Sequence, residues 1–121
     1  MEKTTLVLGA SPKPERFSYD AIRNLQKNNI PVIAIGRRNA DLGDIKITKV
    51  LPDGVNTVHT VTLYLSAANQ KEYYSFILSL KPERIIFNPG TINPELAEIA
   101  RKKGIEVVNG CMLVMLNKGT F

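Results

Sequence analysis

One cysteine, one histidine and no tryptophan occur among the 121 residues of this chain, and each scarcity closes off a class of chemistry. A lone thiol, Cys111, excludes an internal disulfide framework, and His59 beside it leaves too few ligands for a zinc site of the usual kind. Aromatic residues make up only 7% and form no stripe interleaved with basic ones, which argues against a platform for single-stranded nucleic acid. No apolar run approaches the roughly 20 residues needed to cross a bilayer. Met1-Glu2-Lys3 leads straight into a strand-like run, without the apolar stretch or small-residue cleavage site of a signal peptide. The expectations are no membrane insertion and a cytoplasmic location.

What is present is an ordinary globular composition, 44% hydrophobic and 22% charged, with a formal net charge of +5. The length suits one domain with a real core and is too short for a nucleotide domain joined to a separate substrate domain. The positive charge favours an anionic partner. With so few aromatics, a small phosphorylated ligand is a better expectation than a nucleic acid. Apolar β-rich runs alternate with amphipathic helical runs, with no repeat or low-complexity linker, so parallel strands joined by right-handed crossovers are expected.

Thr4 to Leu8 reads as a buried first strand. Ser18 is placed to cap a helix running from Tyr19 to about Asn28, with Ala21, Ile22 and Leu25 on its buried stripe and Phe17 stapled to Ile22. Pro31 to Ile35 is the second strand; a short third covers Ile45 to Val50, after a loop at 39–44 too short for a helix. Val58 to Leu65 is the fourth, and Asn69 with Glu72 resembles a capping box opening a helix that Lys81-Pro82 stops. Arg84 to Phe87 follows as a fifth strand. Asn93, Pro94 and Gly104 then mark the cap, first turn and end of a further helix, and Ile105 to Val108 is a sixth strand. Cys111 to Leu116 is too short for periodicity to choose between strand and helical turn. The fold class expected is α/β, a mainly parallel, twisted sheet of about five to six strands flanked by helices.

In such a sheet the loops after successive strands gather at the carboxyl edge, where ligands bind beside the first strand. The first loop, Gly9-Ala10-Ser11-Pro12-Lys13-Pro14-Glu15-Arg16-Phe17-Ser18, has one glycine where a dinucleotide fingerprint has three, and adds the cations Lys13 and Arg16. Gly9 allows close backbone approach, Ser11 offers a hydroxyl, and the following helix offers its N-terminal N–H groups to a phosphate. The alternative is a proline-rich turn carrying solvated cations. After the second strand an NAD site calls for an acidic residue, roughly 20 residues beyond the glycine turn. This chain has Gly36-Arg37-Arg38 instead. Two guanidinium forks suit an extra phosphate on the adenosine ribose, as in NADP or coenzyme A; solvated loop arginines are the plainer alternative.

Together with Leu63-Tyr64-Leu65-Ser66, Asn69-Gln70 and Ile86-Phe87-Asn88-Pro89-Gly90-Thr91, the first loop resembles the small stand-alone CoA-binding domain proteins. These are related to the N-terminal CoA-binding domain of the succinyl-CoA ligase alpha subunit, and the resemblance runs from about Thr4 to Leu116. It implies a Rossmann-like domain that binds coenzyme A or acyl-CoA. The ADP part would lie on Gly9, Ala10, Ser11, Lys13, Arg16, Phe17, Ser18, Arg37 and Arg38, and the pantetheine would pass Leu65, Ser66, Asn69, Asn88, Pro89, Gly90, Thr91 and Cys111. Relatives often place an Asn-Pro type turn where this chain has Gly36-Arg37-Arg38. The ligase relatives react through a phosphohistidine in a second domain and an additional subunit, for which this chain has no room.

Catalytic material is sparse. His59 falls at the start of a strand, on the edge opposite the ligand loops, and Glu15 has no partner carboxylate close in sequence. Cys111 is either a thiol near the pantetheine, open to a mixed disulfide with CoA, or a packed small hydrophobe beside Met112 and Val114. The expectation is a binding module without catalysis. The runner-up is a small NADP-dependent oxidoreductase or other nucleotide-binding protein, which would lack both the glycine fingerprint and a substrate domain. A basic nucleic-acid-binding protein would explain the net charge but not where the cations cluster.

Overall fold

The computed structural model describes residues 3–121. Among them seven strands form one sheet: β1 (Thr5–Leu8), β2 (Val32–Ile35), β3 (Ala40–Leu42), β4 (Ile45–Thr48), β5 (Thr60–Leu63), β6 (Arg84–Phe87) and β7 (Glu106–Asn109). Their order is β3-β4-β2-β1-β5-β6-β7. Every neighbouring pair is parallel except β3 with β4. The chain thus builds outward from β1 in one direction, to β2 and β4, and then in the other, to β5, β6 and β7. The order reverses at β1, where a parallel sheet opens a crevice at the carboxyl ends of its strands.

Alternation along the strands divides the core into two layers. Leu6, Leu8, Val61, Leu63, Ile85 and Phe87 pack on one face with Ile77, Leu96 and Ala100, from α3 (Tyr74–Ser79) and α4 (Pro94–Lys102). Val7, Ala34, Ile47 and Ile86 pack on the other with Ala21, Ile22, Leu25 and Met112, from α1 (Phe17–Lys27) and α5 (Met112–Lys118). Each large aliphatic side chain buried here contributes about 1.5–3 kcal/mol relative to exposure.

Several local expectations change. The sheet has seven strands rather than five or six, because 40–42 pairs back on β4 as an antiparallel edge strand instead of staying a loop. Helix α1 starts two residues early, with Arg16 at the cap position and no side-chain cap bond; Ser18 lies inside the first turn and is buried. Phe17 is 73% exposed, so there is no staple onto the fully buried Ile22. Asn69 opens no capping box: Ser66 precedes a short α2 (Ala67–Gln70), which passes through a 3-10 turn, Lys71–Tyr73, into α3. The undecided run after Cys111 is helical, as α5.

Other ends behave as their residues dictate. Asn93 caps α4, its Oδ1 accepting from Leu96 N at 3.3 Å, with Pro94 in first position. Asn28-Asn29 ends α1: Asn29 takes a left-handed φ of 58°, Asn29 N donates to Gln26 O and Ile30 N to Leu25 O, both at 3.0 Å. This pair of bonds satisfies helix carbonyls that would otherwise lack partners.

Candidate functional site

The carboxyl ends of β1, β2, β5 and β6 surround a cleft of about 800 Å³, a size usual for small-molecule sites. Its first wall is the β1–α1 turn. Gly9 and Ala10 both donate from backbone N to Ile35 O at 2.9 Å, which seats the turn on the end of β2. Gly9 has φ +94°, and a Cβ there would press on Tyr64 backbone and the Leu65 side chain at 3.0 and 3.1 Å. The turn then tightens as Lys13 N donates to Ser11 Oγ at 3.2 Å and Arg16 N to Lys13 O at 3.0 Å. Helix α1 begins beyond it. The N–H groups of Phe17 and Ser18 have no preceding helical carbonyl to meet, and they give this end of the cleft a positive dipole.

The second wall follows β2. Gly36 N donates to Thr48 O at 3.0 Å, and a Cβ at Gly36 would overlap the Ala10 carbonyl, so the two loops meet with no space for a side chain. Arg37, Arg38, Asn39 and Ala40 continue the lining. Among the described residues the carboxylates that meet a basic side chain are Glu83, against His59, and Glu98, against Lys102, so Lys13, Arg16, Arg37 and Arg38 face the cleft without a carboxylate partner.

The far wall comes from the loops after β5 and β6, through Tyr64, Leu65, Ser66, Asn69, Pro89, Gly90 and Thr91. Gln70, fully buried, ties these loops together. Its Nε2 donates to Leu65 O at 2.8 Å and to Thr91 O at 2.7 Å, while its Oε1 accepts from Asn93 Nδ2 at 2.9 Å. Thr91 Oγ1 donates back to Asn88 O at 2.7 Å. Tyr64 packs into the α1 and α5 layer with its hydroxyl buried near Thr62 and without a hydrogen bond; Thr62 Oγ1 already accepts from Asn88. Burial pushes the Tyr64 pKa well above its usual value.

Two sequence-derived positions fall outside the lining. Asn88 is buried and wholly occupied within the scaffold: Nδ2 donates to Thr62 Oγ1 and Leu63 O at 2.7 and 2.9 Å, and Oδ1 accepts from Met112 N at 2.9 Å. Its role is to fasten β5, β6 and the start of α5. Cys111 is half-buried at the cap position of α5, also off the lining. The remaining positions, Gly9, Ala10, Ser11, Lys13, Arg16, Phe17, Ser18, Arg37, Arg38, Leu65, Ser66, Asn69, Pro89, Gly90 and Thr91, are gathered around one cleft. Pro12, Asn39, Ala40 and Tyr64 join them. For Pro12, Asn39 and Tyr64 the neighbours in sequence were the available signal, since each adjoins a residue already singled out; Ala40 lies two residues beyond Arg38 and had none.

A family model described as a CoA binding domain matches residues 3–117 of the chain. The chain belongs to the CoA binding domain family. Solved structures share the fold. A crystal structure of an uncharacterized protein is 47% identical, with 100% of this chain and 99% of that one covered at a TM-score of 0.93. A hypothetical protein from Pyrococcus horikoshii OT3 (23% identity, 97% and 83% covered, TM-score 0.86) and a protein from Thermus thermophilus (24%, 99% and 91%, TM-score 0.87) share the fold. No curated protein matches the sequence. In this CoA binding domain the Rossmann-like sheet places all four loops at one edge. Among the described residues no three His, Cys, Asp or Glu side chains cluster as a metal site, and no helix is long and apolar enough to cross a membrane.

Proposed function

We propose that the chain is a non-catalytic binding domain for coenzyme A or acyl-CoA, serving as a carrier, a sensor or a subunit of a larger assembly. The ADP part lies against the β1–α1 turn and the Arg37-Arg38 loop, and the pantetheine runs along the loops after β5 and β6. The observation that carries this reading is the convergence of Lys13, Arg16, Arg37 and Arg38, none held by an ion pair among the described residues, on the cleft at the N-terminus of α1. CoA brings a pyrophosphate and a 3′-phosphate, about four negative charges near neutral pH. The ribose-side cations fit the 3′-phosphate, where NAD would need an acidic residue for its hydroxyls. Family membership across residues 3–117 supports the same ligand. The reading as binding rather than catalysis rests on a lining of hydroxyls, amides and cations in which no carboxylate, imidazole or thiol takes part.

Calorimetry with CoA, dephospho-CoA, NADP and NAD tests the proposal. CoA should bind most tightly, and loss of the 3′-phosphate should cost about 1.5–3 kcal/mol for a charge-assisted contact. NAD binding as tight as CoA would sink it; tighter NADP binding would favour the oxidoreductase alternative.

A further inference from the structure

Phe17 is the feature of the cleft that the fold itself leaves unexplained. It is 73% exposed, more than any other large hydrophobic side chain among the described residues, and it lines the cleft directly after Arg16. The sequence pattern fits a staple onto Ile22, yet Ile22 is fully buried without it. Its backbone is fixed as the first residue of α1, where Tyr19 N donates to Arg16 O at 3.1 Å, so the ring projects from an ordered turn.

Resting on the CoA reading above, we infer that Phe17 is the platform on which the adenine ring of the ligand stacks. CoA has a single aromatic group, and the cleft has a single aromatic ring free to receive it. The other ring in the lining, Tyr64, is packed into the core with its hydroxyl buried. Adenine is joined to the ribose that carries the 3′-phosphate, so the base belongs at the cationic end of the cleft. Phe17 stands at that end: it follows Arg16 directly in the lining, at the first position of α1, which packs on β1 and β2. Stacking covers apolar surface that the protein cannot cover alone, and it accepts the base by its face without reading its edge.

The inference is tested by binding of CoA, 3′,5′-ADP and 4′-phosphopantetheine to the unsubstituted chain, Phe17→Ala and Phe17→Leu. Both substitutions should weaken CoA and 3′,5′-ADP by about tenfold and leave 4′-phosphopantetheine unchanged. Unfolding without ligand should be unaffected, because the ring is exposed. Phe17→Trp, which introduces the chain's sole tryptophan, should be quenched by CoA and 3′,5′-ADP but not by 4′-phosphopantetheine. Unaltered CoA affinity in Phe17→Ala, or equal losses for the phosphopantetheine, would overturn the inference while leaving CoA binding standing. Failure of the unsubstituted chain to bind CoA would overturn both.

Discussion

Arg16 and His59 mark the two edges of the sheet and do opposite things. Arg16 is exposed, caps no helix with its side chain and pairs with no acid among the described residues. Arg16→Ala should therefore weaken CoA binding by about 1.5–3 kcal/mol in calorimetry, with ligand-free thermal unfolding nearly unchanged; early unfolding with normal binding would make Arg16 structural instead. His59 is set within the scaffold. Glu83 Oε2, 3.1 Å from His59 Nε2, can only accept, so the proton of the neutral ring belongs on Nε2; Nδ1 then accepts from Thr60 Oγ1 at 2.8 Å, an oxygen that itself accepts from Arg84 Nε at 2.8 Å. This suits the neutral ring. Burial lowers the His59 pKa from 6.5; Glu83 opposes this from a largely exposed position, and Arg84 and Lys3 reinforce it. The unfolded chain thus takes up a proton at higher pH than the folded one. The stability this provides is complete above about pH 6.5 and is lost as pH falls from there through the lower folded value. Urea unfolding at about pH 7.5 and about pH 5.5 should show the decline, and His59→Gln should reduce it.

At the scale of elements, the later loops depend on Gln70. Gln70→Leu keeps the bulk but strands the Leu65 and Thr91 carbonyls and one of the two Asn93 Nδ2 hydrogens, the other staying on the Tyr74 hydroxyl, so a loss of about 1–3 kcal/mol in denaturant unfolding is expected. CoA affinity should fall as well, since both carbonyls belong to cleft residues; an unchanged midpoint would show that the loops hold without the bridge. The elements most legible in the sequence were those fixed by neighbours along the chain. Arg84 to Phe87 forms β6 residue for residue, and Asn93, Pro94 and Gly104 delimit α4 by local chemistry alone. By contrast Ala40-Asp41-Leu42 has no strong strand preference and becomes β3 only through pairing with β4. Candidate loops were legible for a similar reason, because strand ends define the carboxyl edge wherever the strands fall. Asn88 was not. An asparagine in a loop motif has the same letter whether its amide meets a ligand or, as here, spends every polar atom on the scaffold.

For the molecule as a whole, four cations without an ion-pair partner among the described residues, Lys13, Arg16, Arg37 and Arg38, share one cleft at the carboxyl edge of the sheet, and charge should govern ligand binding there. Raising ionic strength from about 0.01 M to about 0.15 M shortens the Debye length from about 30 Å to about 8 Å. CoA affinity should fall over that range more steeply than ligand-free stability, as titration calorimetry and unfolding at each salt level would show. At a hundredfold excess over Kd, CoA should add about 2.7 kcal/mol to the unfolding free energy. Insensitivity of CoA binding to salt would mean that the four cations lie away from the phosphates.

The double acceptance at Ile35 O, from both Gly9 and Ala10, also bears on how fast a ligand is captured. The first turn is already seated on β2, and an arriving anion meets its donors in place with no loop to fold around it. Encounter then sets the pace: association rises linearly with ligand concentration and is hastened by the positive rim. Ligands that share the ADP part arrive at similar rates and differ chiefly in how long each one stays.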